Sequence, residues 1–310
     1  LSIAKSRETI RSVMALFGSN VTSTMLSAIG GLLVAYFLGP REVGAFRAFT
    51  IPLTYLMFFN LGTNDGLWRQ IPYYVGKKMP ERVNGLAASA GAFNLFLSIV
   101  ISLGFVCCAA YSLIQHDLYG VFGWFSQALC CWGVFYGSYL TSTYRTLNHF
   151  VTMARIQVIQ TILTFVMVLL LPFLRFYGLC ARAALPAVLG TWLYHRNRPL
   201  KVRYHFDIKA LCELLKIGLP FSLGGNLYFA AWYATESALV LYLGGVTALG
   251  LFSVATVMRS AVNSLPAVVM QVLSPRVVTA FAQDGSMRNA KARIMWVTLG
   301  LMGFMAMIAY

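Results

Sequence analysis

Apolar segments long enough to cross a lipid bilayer dominate this chain of 310 residues. Hydrophobic residues make up 59% of the sequence and charged residues only 11%, whereas soluble domains carry about 25% charged residues. Runs of about 20 apolar residues are typical of transmembrane helices, because a helix satisfies its own backbone hydrogen bonds in lipid. We place nine such segments, at residues 12–38, 43–64, 85–111, 119–142, 151–172, 176–194, 214–243, 247–273 and 292–310. The sequence therefore predicts an all-α, polytopic transmembrane helical bundle.

The lysine and arginine residues, which give the chain a formal charge of +15, lie mostly in alternate loops. They are concentrated before residue 12 and in the loops near 65–84, 195–213 and 274–291. The positive-inside rule places such loops in the cytoplasm. The pattern predicts a multi-pass protein of the inner (cytoplasmic) membrane with a cytoplasmic N terminus. Because the basic residues form no continuous face, we expect no nucleic-acid partner.

One short pattern occurs twice, about 205 residues apart. Residues 38–46 (LGPREVGAF) are repeated loosely as residues 243–252 (LGGVTALGLF), and each copy joins two apolar segments. Internal repeats are typical of membrane transporters, whose substrate site lies between the halves. Six segments precede the second half, so both halves have the same orientation. We predict two parallel six-helix halves, residues 1–210 and 211–310, with the second half truncated after three helices.

Several motifs resemble polysaccharide flippases of the Wzx type, in the MATE/MOP exporter superfamily. Residues 38–44 resemble the turn after the first span of those proteins, residues 216–220 (KIGLP) the start of their seventh span, and residues 250–255 (GLFSVA) a pattern of their eighth. The chain has Glu236 where Asp is commoner, and Gly245 where Pro is usual. The resemblance implies two helical bundles facing a central cavity. It also implies flipping of a polyprenol-pyrophosphate-linked oligosaccharide for cell-surface polysaccharide, such as the O-antigen of lipopolysaccharide or an exopolysaccharide.

Polar residues at bilayer depth mark the candidate substrate site. A charged side chain there costs about 2.5–3.5 kcal/mol on insertion scales, so it is expected to face a cavity or a partner. Arg259 lies near the centre of the eighth segment, Glu236 and Asn226 lie in the seventh, and Arg182 lies in the sixth. Arginine suits phosphate because its guanidinium group donates two parallel hydrogen bonds. We predict that these four residues line a cavity for an anionic headgroup; a purely structural Glu236–Arg259 pair is an equally open alternative.

Two other function classes stay open. A cation-coupled multidrug exporter of the MATE type predicts acidic residues deep in the first half, and a polyprenol-dependent membrane transferase predicts clustered acids and a large loop. The sequence shows neither pattern, nor any nucleotide-binding, metalloprotease or hydrolase motif. We therefore expect a non-enzyme without cofactor or metal.

The expected partners follow from the flippase interpretation. They are the lipid-linked oligosaccharide, membrane lipids, a coupling ion (H⁺ or Na⁺), and a polysaccharide polymerase with its glycosyltransferases. Because the sequence stops at Tyr310 inside an apolar segment, we also expect about three further spans beyond that residue, by the offset of the repeat.

Overall fold

The computed structural model describes residue 18 and residues 22–147, 149–224 and 228–284. Helices follow one another almost without interruption, and no strand occurs among these residues. Four apolar helical stretches are candidate membrane spans by length and composition, namely Pro80–Ile114, Leu118–Thr146, Phe150–Arg196 and Ala230–Val257. The last two each contain a point where the backbone leaves helical geometry, at Arg175 and Gly245. The prediction of an all-helical transmembrane bundle is confirmed.

Ten helices make up the described part of the chain. In order, they are α1 Thr22–Phe37, α2 Pro40–Leu56, α3 Thr63–Gly76, α4 Pro80–Ile114, α5 Leu118–Trp132, α6 Ser138–Thr146, α7 Phe150–Val166, α8 Leu171–Arg196, α9 Ile208–Ser222 and α10 Tyr228–Asp284. Short 3-10 turns follow α2 and α7, and a π-helical turn, Gly133–Gly137, joins α5 to α6. We call the end of the bundle with the loops 77–79 and 197–207 the basic end, and the other the far end.

The last helix, α10, is a hairpin. It leaves helical geometry at Gly245, where φ is 73° and ψ is −174°. A straight helix rises about 1.5 Å per residue, so Glu236 and Arg259, 23 positions apart, would be separated by about 35 Å. Their side chains instead lie 3.3 Å apart. The arms 228–244 and 246–284 therefore run back along each other, and the turn predicted between the seventh and eighth segments is confirmed.

A second reversal occurs in α8, at Arg175, where φ is 45° and ψ is −123°. Gln160 of α7 donates a hydrogen bond to the carbonyl oxygen of Pro186 at 3.0 Å, although 26 positions separate them. The arm of α8 after Arg175 therefore returns beside α7. Arg175 also forms an ion pair with Glu42 at the start of α2, with 3.5 Å between Nη1 and Oε1. The predicted turn between the fifth and sixth segments is confirmed.

Segment ends differ from the prediction in the second and seventh spans. The second span, predicted as 43–64, corresponds to α2, which ends at Leu56. Leu61 (φ 50°) and Gly62 (φ 75°) are left-handed and connect α2 to α3. The predicted loop near 65–84 is largely helical. Helix α3 has a buried face with helical spacing, although charged residues lie elsewhere on the helix. The buried residues are Thr63, Gly66, Leu67, Gln70 and Ile71. The predicted seventh span is divided between α9 and α10. The predicted ninth span, 292–310, lies outside the described residues.

The two predicted halves meet at the far end through glycines of the repeated pattern. A Cβ atom on Gly44 would overlap the carbonyl oxygen of Val246, and a Cβ atom on Gly250 would overlap the carbonyl oxygen of Pro40. The backbone of α2 therefore rests directly on the backbone of the second arm of α10. We call this contact of Pro40, Gly44, Val246 and Gly250 the glycine seam. It brings together equivalent positions of the two repeat copies.

A second contact joins the halves through α3 and α9. Glu213 of α9 accepts hydrogen bonds from the Tyr74 hydroxyl at 2.7 Å and from Gln70 at 3.3 Å, and Arg82 of α4 lies 4.0 Å away. The hydrogen bond to this carboxylate raises the pKa of the Tyr74 phenol above its usual value. One carboxylate of α9 is thus held by three side chains of α3 and α4.

The segment between α8 and α9 is anchored to the first half. The hydroxyl of Tyr204 lies 2.7 Å from the hydroxyl of Tyr136 and accepts a hydrogen bond from Arg198 at 3.2 Å. Tyr136 in turn lies 2.6 Å from Nδ1 of His195, at the end of α8. This network holds the connecting segment against the bundle up to residue 204.

Reporter fusions test the predicted orientation. Alkaline phosphatase is active only outside the cytoplasm, so fusions after residues 80 and 205 are expected to be inactive and a fusion after residue 117 active. A green fluorescent protein fused at the same positions provides the matched control with the opposite pattern. Phosphatase activity after residues 80 and 205 would overturn the cytoplasmic assignment of the basic end.

Candidate functional site

The α10 hairpin brings two of the four predicted site residues together. Glu236 lies on the first arm and Arg259 on the second, with 3.3 Å between Oε2 and Nη2. The other carboxylate oxygen, Oε1, accepts a hydrogen bond of 2.5 Å from the indole nitrogen of Trp232, one turn earlier. Both oxygens of Glu236 are therefore engaged, which fixes the orientation of the carboxylate.

The Glu236–Arg259 ion pair is partly exposed to solvent. The Glu236 side chain is 27% exposed and the Arg259 side chain 50% exposed, and the guanidinium group meets the carboxylate through a single nitrogen. A guanidinium group carries five N–H donors in a planar fork. Arg259 thus has the geometry to hold Glu236 with one edge and a second anion with another.

The pair lies next to the first half of the bundle. The Tyr55 hydroxyl of α2 lies 3.1 Å from the Thr235 hydroxyl, beside Glu236 in sequence. On the other arm, a Cβ atom at Gly31 of α1 would lie 2.7 Å from Val257. Helices α1 and α2 therefore flank the hairpin at the level of the ion pair.

Arg182 is placed apart from that pair. Its Nε donates a hydrogen bond to the carbonyl oxygen of Thr164 at 3.3 Å, and its Nη2 lies against Gly30 of α1. Arg47 of α2 is close enough to act on it electrostatically. Within the described part of the chain, Arg182 has no carboxylate partner. Gly30 of α1 thus faces Arg182, and the adjacent Gly31 faces α10. Helix α1 therefore lies between Arg182 and the Glu236–Arg259 pair.

The fourth predicted residue, Asn226, lies outside the described residues, and its role stays a prediction. The assignment of Glu236, Arg259 and Arg182 to a substrate site likewise stays a prediction, although their positions are now known. The structure shows that Glu236 and Arg259 form an ion pair, which the sequence left open. It does not join Arg182 to that pair.

A polar cavity that the sequence analysis did not identify lies in the basic-end part of the first half. Its volume is about 380 Å³. Its walls are formed by Asn64, Gly133, Gly137, Ser138, Thr141, Ser142, Arg145, Met153, Gln157, Gln160, Thr191 and Tyr194. A sequence signal for it exists: the polar residues of α6 recur at positions 138, 141, 142 and 145, which is the spacing of one helical face.

Glycines of the π-helical turn set the distance between α5–α6 and α8 at this cavity. A Cβ atom on Gly133 would lie 3.2 Å from the Ala187 side chain, and one on Gly137 would lie 3.0 Å from the Thr191 hydroxyl. Gly133 and Gly137 form a GxxxG pattern, which is typical of such close packing between membrane helices. The close approach places Thr191 beside the polar face of α6.

No protein-family profile and no curated protein matches the sequence. Solved structures do match the fold. One is a MOP superfamily transporter from Pyrococcus furiosus, with a TM-score of 0.58, 15% identity, and coverage of 88% of this chain and 70% of that one. Another is an inward-facing multidrug resistance MATE family transporter, with a TM-score of 0.59, 14% identity, and coverage of 81% and 64%.

An outward-facing structure of a MATE family transporter matches about equally, with a TM-score of 0.57, 15% identity, and coverage of 88% of this chain and 70% of that one. The described helices therefore have the fold of MATE/MOP-superfamily transporters, as the resemblance implied. The chain spans about two thirds of the length of these structures.

Proposed function

We propose that this chain belongs to a transporter that flips a polyprenol-pyrophosphate-linked oligosaccharide across the inner membrane, for cell-surface polysaccharide such as O-antigen or exopolysaccharide. The transporter fold supports the coarser part of the proposal. The charge of the interior supports the finer part, because the transported headgroup is anionic at its pyrophosphate and polyhydroxylated at its sugars.

The arginines inside the helices are the observation that carries the proposal. Arg47, Arg182 and Arg259 all lie within helices, whereas Glu236 is the one carboxylate that pairs with any of them in the described residues. Arginine donates charge-assisted hydrogen bonds to phosphate oxygens, and these are about twice as strong as neutral ones. Arginines that carboxylates do not fully neutralise attract a pyrophosphate and disfavour a cationic drug.

In the proposed mechanism, the protein replaces the water that the headgroup loses. Sugar hydroxyls and phosphate oxygens that enter hydrocarbon without partners cost several kcal/mol each, on the order of 2–7 kcal/mol for a neutral group. Arg259 binds the pyrophosphate with the donors that Glu236 does not use, and Arg182 adds a second cation on the other side of α1. The lipid tail stays in the bilayer while the halves, residues 1–210 and 211–310, rock about the headgroup.

Glu236 has a further role in this scheme. In one state it holds Arg259, as observed at 3.3 Å, and in the other it releases the arginine by binding the coupling ion, H⁺ or Na⁺. The N terminus and the basic end are cytoplasmic in the proposal. A polysaccharide polymerase and glycosyltransferases act before and after the flipping step.

Complementation tests the proposed function. The full-length protein is expected to restore surface polymer in a flippase-null strain that makes the matching lipid-linked oligosaccharide, and to leave the efflux of cationic dyes unchanged in an exporter-null strain. Restored dye resistance without restored polymer would overturn the proposal in favour of drug export.

Cation-coupled drug export is the second candidate function. It is favoured by the pairing of an acid with an aromatic ring, Glu236 with Trp232, which is a suitable surface for an organic cation. Two of the similar structures are multidrug resistance transporters. Against it, the similar transporter from Pyrococcus furiosus is described as having a binding pocket of reversed polarity, which suggests a different function for that protein.

A further inference from the structure

The polar cavity of the first half is separate from the Glu236–Arg259 pair and from Arg182. None of those three residues lines it. Its walls come from the π-helical turn Gly133–Gly137 and from α6, α7 and α8, with Asn64 of α3 at one side. Its volume of about 380 Å³ falls within the range of small-molecule sites, about 300–1,000 Å³. The cavity is therefore large enough to be a binding site of its own.

The wall of this cavity is rich in hydrogen-bond acceptors. The hydroxyls of Thr141 and Thr191 donate to carbonyl oxygens of their own helices, at 2.9 and 2.8 Å. A hydroxyl has two lone pairs besides its proton, so both oxygens can still accept from a ligand. Ser138 and Ser142 add two more hydroxyls on the same face of α6. Such a wall suits a ligand with several hydroxyl donors.

The charge of the wall disfavours a cationic ligand. Among the described residues that line the cavity, Arg145 is the one charged residue and none is a carboxylate. Arg145 forms no ion pair with any described residue. It lies in the last turn of α6, at the basic end, where it can meet an acidic substituent or a phosphate next to a sugar.

The π-helical turn Gly133–Gly137 is an independent sign of a site. π-Helical turns make up well under 1% of residues and occur frequently at functional positions. This turn comes directly before Ser138, which is exposed although both its neighbours, Gly137 and Tyr139, are buried. The irregular turn thus presents the first hydroxyl of the α6 face to the cavity.

We propose that this cavity is a saccharide subsite, which binds a neutral sugar ring of the transported headgroup at the basic end before the pyrophosphate reaches Arg259. The inference rests on the proposed function and deepens it, since it separates sugar recognition from recognition of the pyrophosphate. Hydroxyl and amide groups of α6, α7 and α8 bind the ring, and Arg145 lies beside the charged end of the headgroup.

Protection of an introduced thiol tests the subsite. The full-length protein with Ser142→Cys is placed in lipid nanodiscs and labelled with a membrane-impermeant maleimide. The probe is the mixture of oligosaccharides that mild acid releases from polyprenyl-pyrophosphate lipids of the native host. At ten times its dissociation constant, a ligand leaves about one site in eleven open, so labelling is expected to slow about tenfold. Tetraphenylphosphonium is expected to leave the rate unchanged.

The protein contains its own reference thiol. Cys212 of α9 is exposed and does not line the cavity. Its labelling rate, measured in the same sample by peptide mass spectrometry, is expected to be the same with and without the oligosaccharides. Equal slowing at both thiols would overturn the proposal, because it would show an effect on the whole protein and not on the cavity.

A matched pair of variants tests the role of the wall hydroxyls. Thr141→Val removes a cavity hydroxyl at nearly constant shape and is expected to weaken protection about three- to tenfold, the effect of one hydrogen bond. Thr54→Val removes a hydroxyl that makes the same kind of bond to its own helix, at 3.0 Å, but outside the cavity. Equal protection in the Thr141 and Thr54 variants would contradict the assignment of Thr141.

Three results would overturn the subsite outright. They are no labelling of the introduced thiol without ligand, no protection at the highest soluble oligosaccharide concentration, and protection by tetraphenylphosphonium. Failure of the proposed function gives a different result, namely no restored polymer in the complementation experiment. Restored polymer without protection leaves the flippase proposal standing and removes only the subsite.

Discussion

Replacing Arg259 with alanine in the full-length protein is expected to reduce polymer export about ten- to hundredfold at unchanged protein level. Hydrogen bonds to a charged group contribute about 1.5–3 kcal/mol, and each 1.4 kcal/mol corresponds to about a factor of ten. The half-exposed guanidinium group meets Glu236 through one nitrogen only, so its remaining donors are the ones that the pyrophosphate would use. Polymer export per copy of protein is the measurement.

Further variants at this pair separate transport from structure. Glu236→Gln is expected to lower export about tenfold, because a neutral amide can neither bind a coupling cation nor release Arg259 by charge. The exchange of both residues, Glu236→Arg with Arg259→Glu, keeps an ion pair but reverses its polarity. We expect the exchange variant to stay inactive, since the donors for the phosphate are then misplaced.

The controls show whether the Glu236–Arg259 pair acts in transport or is only structural. Arg203→Ala, on the exposed connecting segment, is expected to export normally. If the exchange variant exports as well as the wild type, the pair is only structural and the cavity mechanism is wrong. Arg259→Lys addresses the bidentate argument, because lysine keeps the charge but loses the planar fork; full export by that variant would refute the argument.

The second large effect is expected at the glycine seam. Gly44→Ala and Gly250→Ala each place a methyl group where a backbone carbonyl oxygen of the other half now lies. Neither carbonyl can move without its helix, so the halves must separate at the far end. Overpacking of this kind costs about 1–3 kcal/mol, occasionally more. Thermal unfolding in detergent is expected to show a midpoint lowered by several degrees in either variant.

Two comparisons make the seam prediction specific. Gly104→Ala in α4 adds a methyl group where no atom lies within 4 Å, so it is expected to leave the midpoint unchanged or to raise it slightly through helix propensity. The double variant Gly44→Ala/Gly250→Ala is expected to lose less than the sum of the single variants, because one separation of the helices relieves both overlaps. A midpoint unchanged in Gly44→Ala would mean that the two backbones are not in contact.

Much of the architecture was predictable because apolar runs and turn residues act locally. The turns near Arg175 and Gly245 fall between predicted segments, whereas the helix ends in the second and seventh segments differ from the predicted ones. Helix α3 was not predicted, because its charged residues interrupt the apolar run and yet preserve the buried stripe that includes Leu67 and Ile71. A window that averages hydropathy cannot detect a stripe with helical spacing.

The candidate site was predictable only where the chain folds back on itself. Glu236 and Arg259 lie on adjacent arms of one hairpin, so their pairing followed from a single turn. The separation of Arg182 from that pair depends on the position of α1, which is a matter of packing between distant segments. The polar cavity could not be predicted because it depends on how α6, α7 and α8 pack against one another. Only the polar face of α6, at positions 138, 141, 142 and 145, was visible in the sequence.

The anchored tyrosine of the connecting segment limits how far α9 can move from the first part of the bundle. From Tyr204 to Ile208, the first residue of α9, four residue steps span at most about 14 Å. While the Tyr204 hydroxyl stays bound to Tyr136, the start of α9 therefore stays within that distance of Tyr204. A larger separation requires this hydrogen bond to break first.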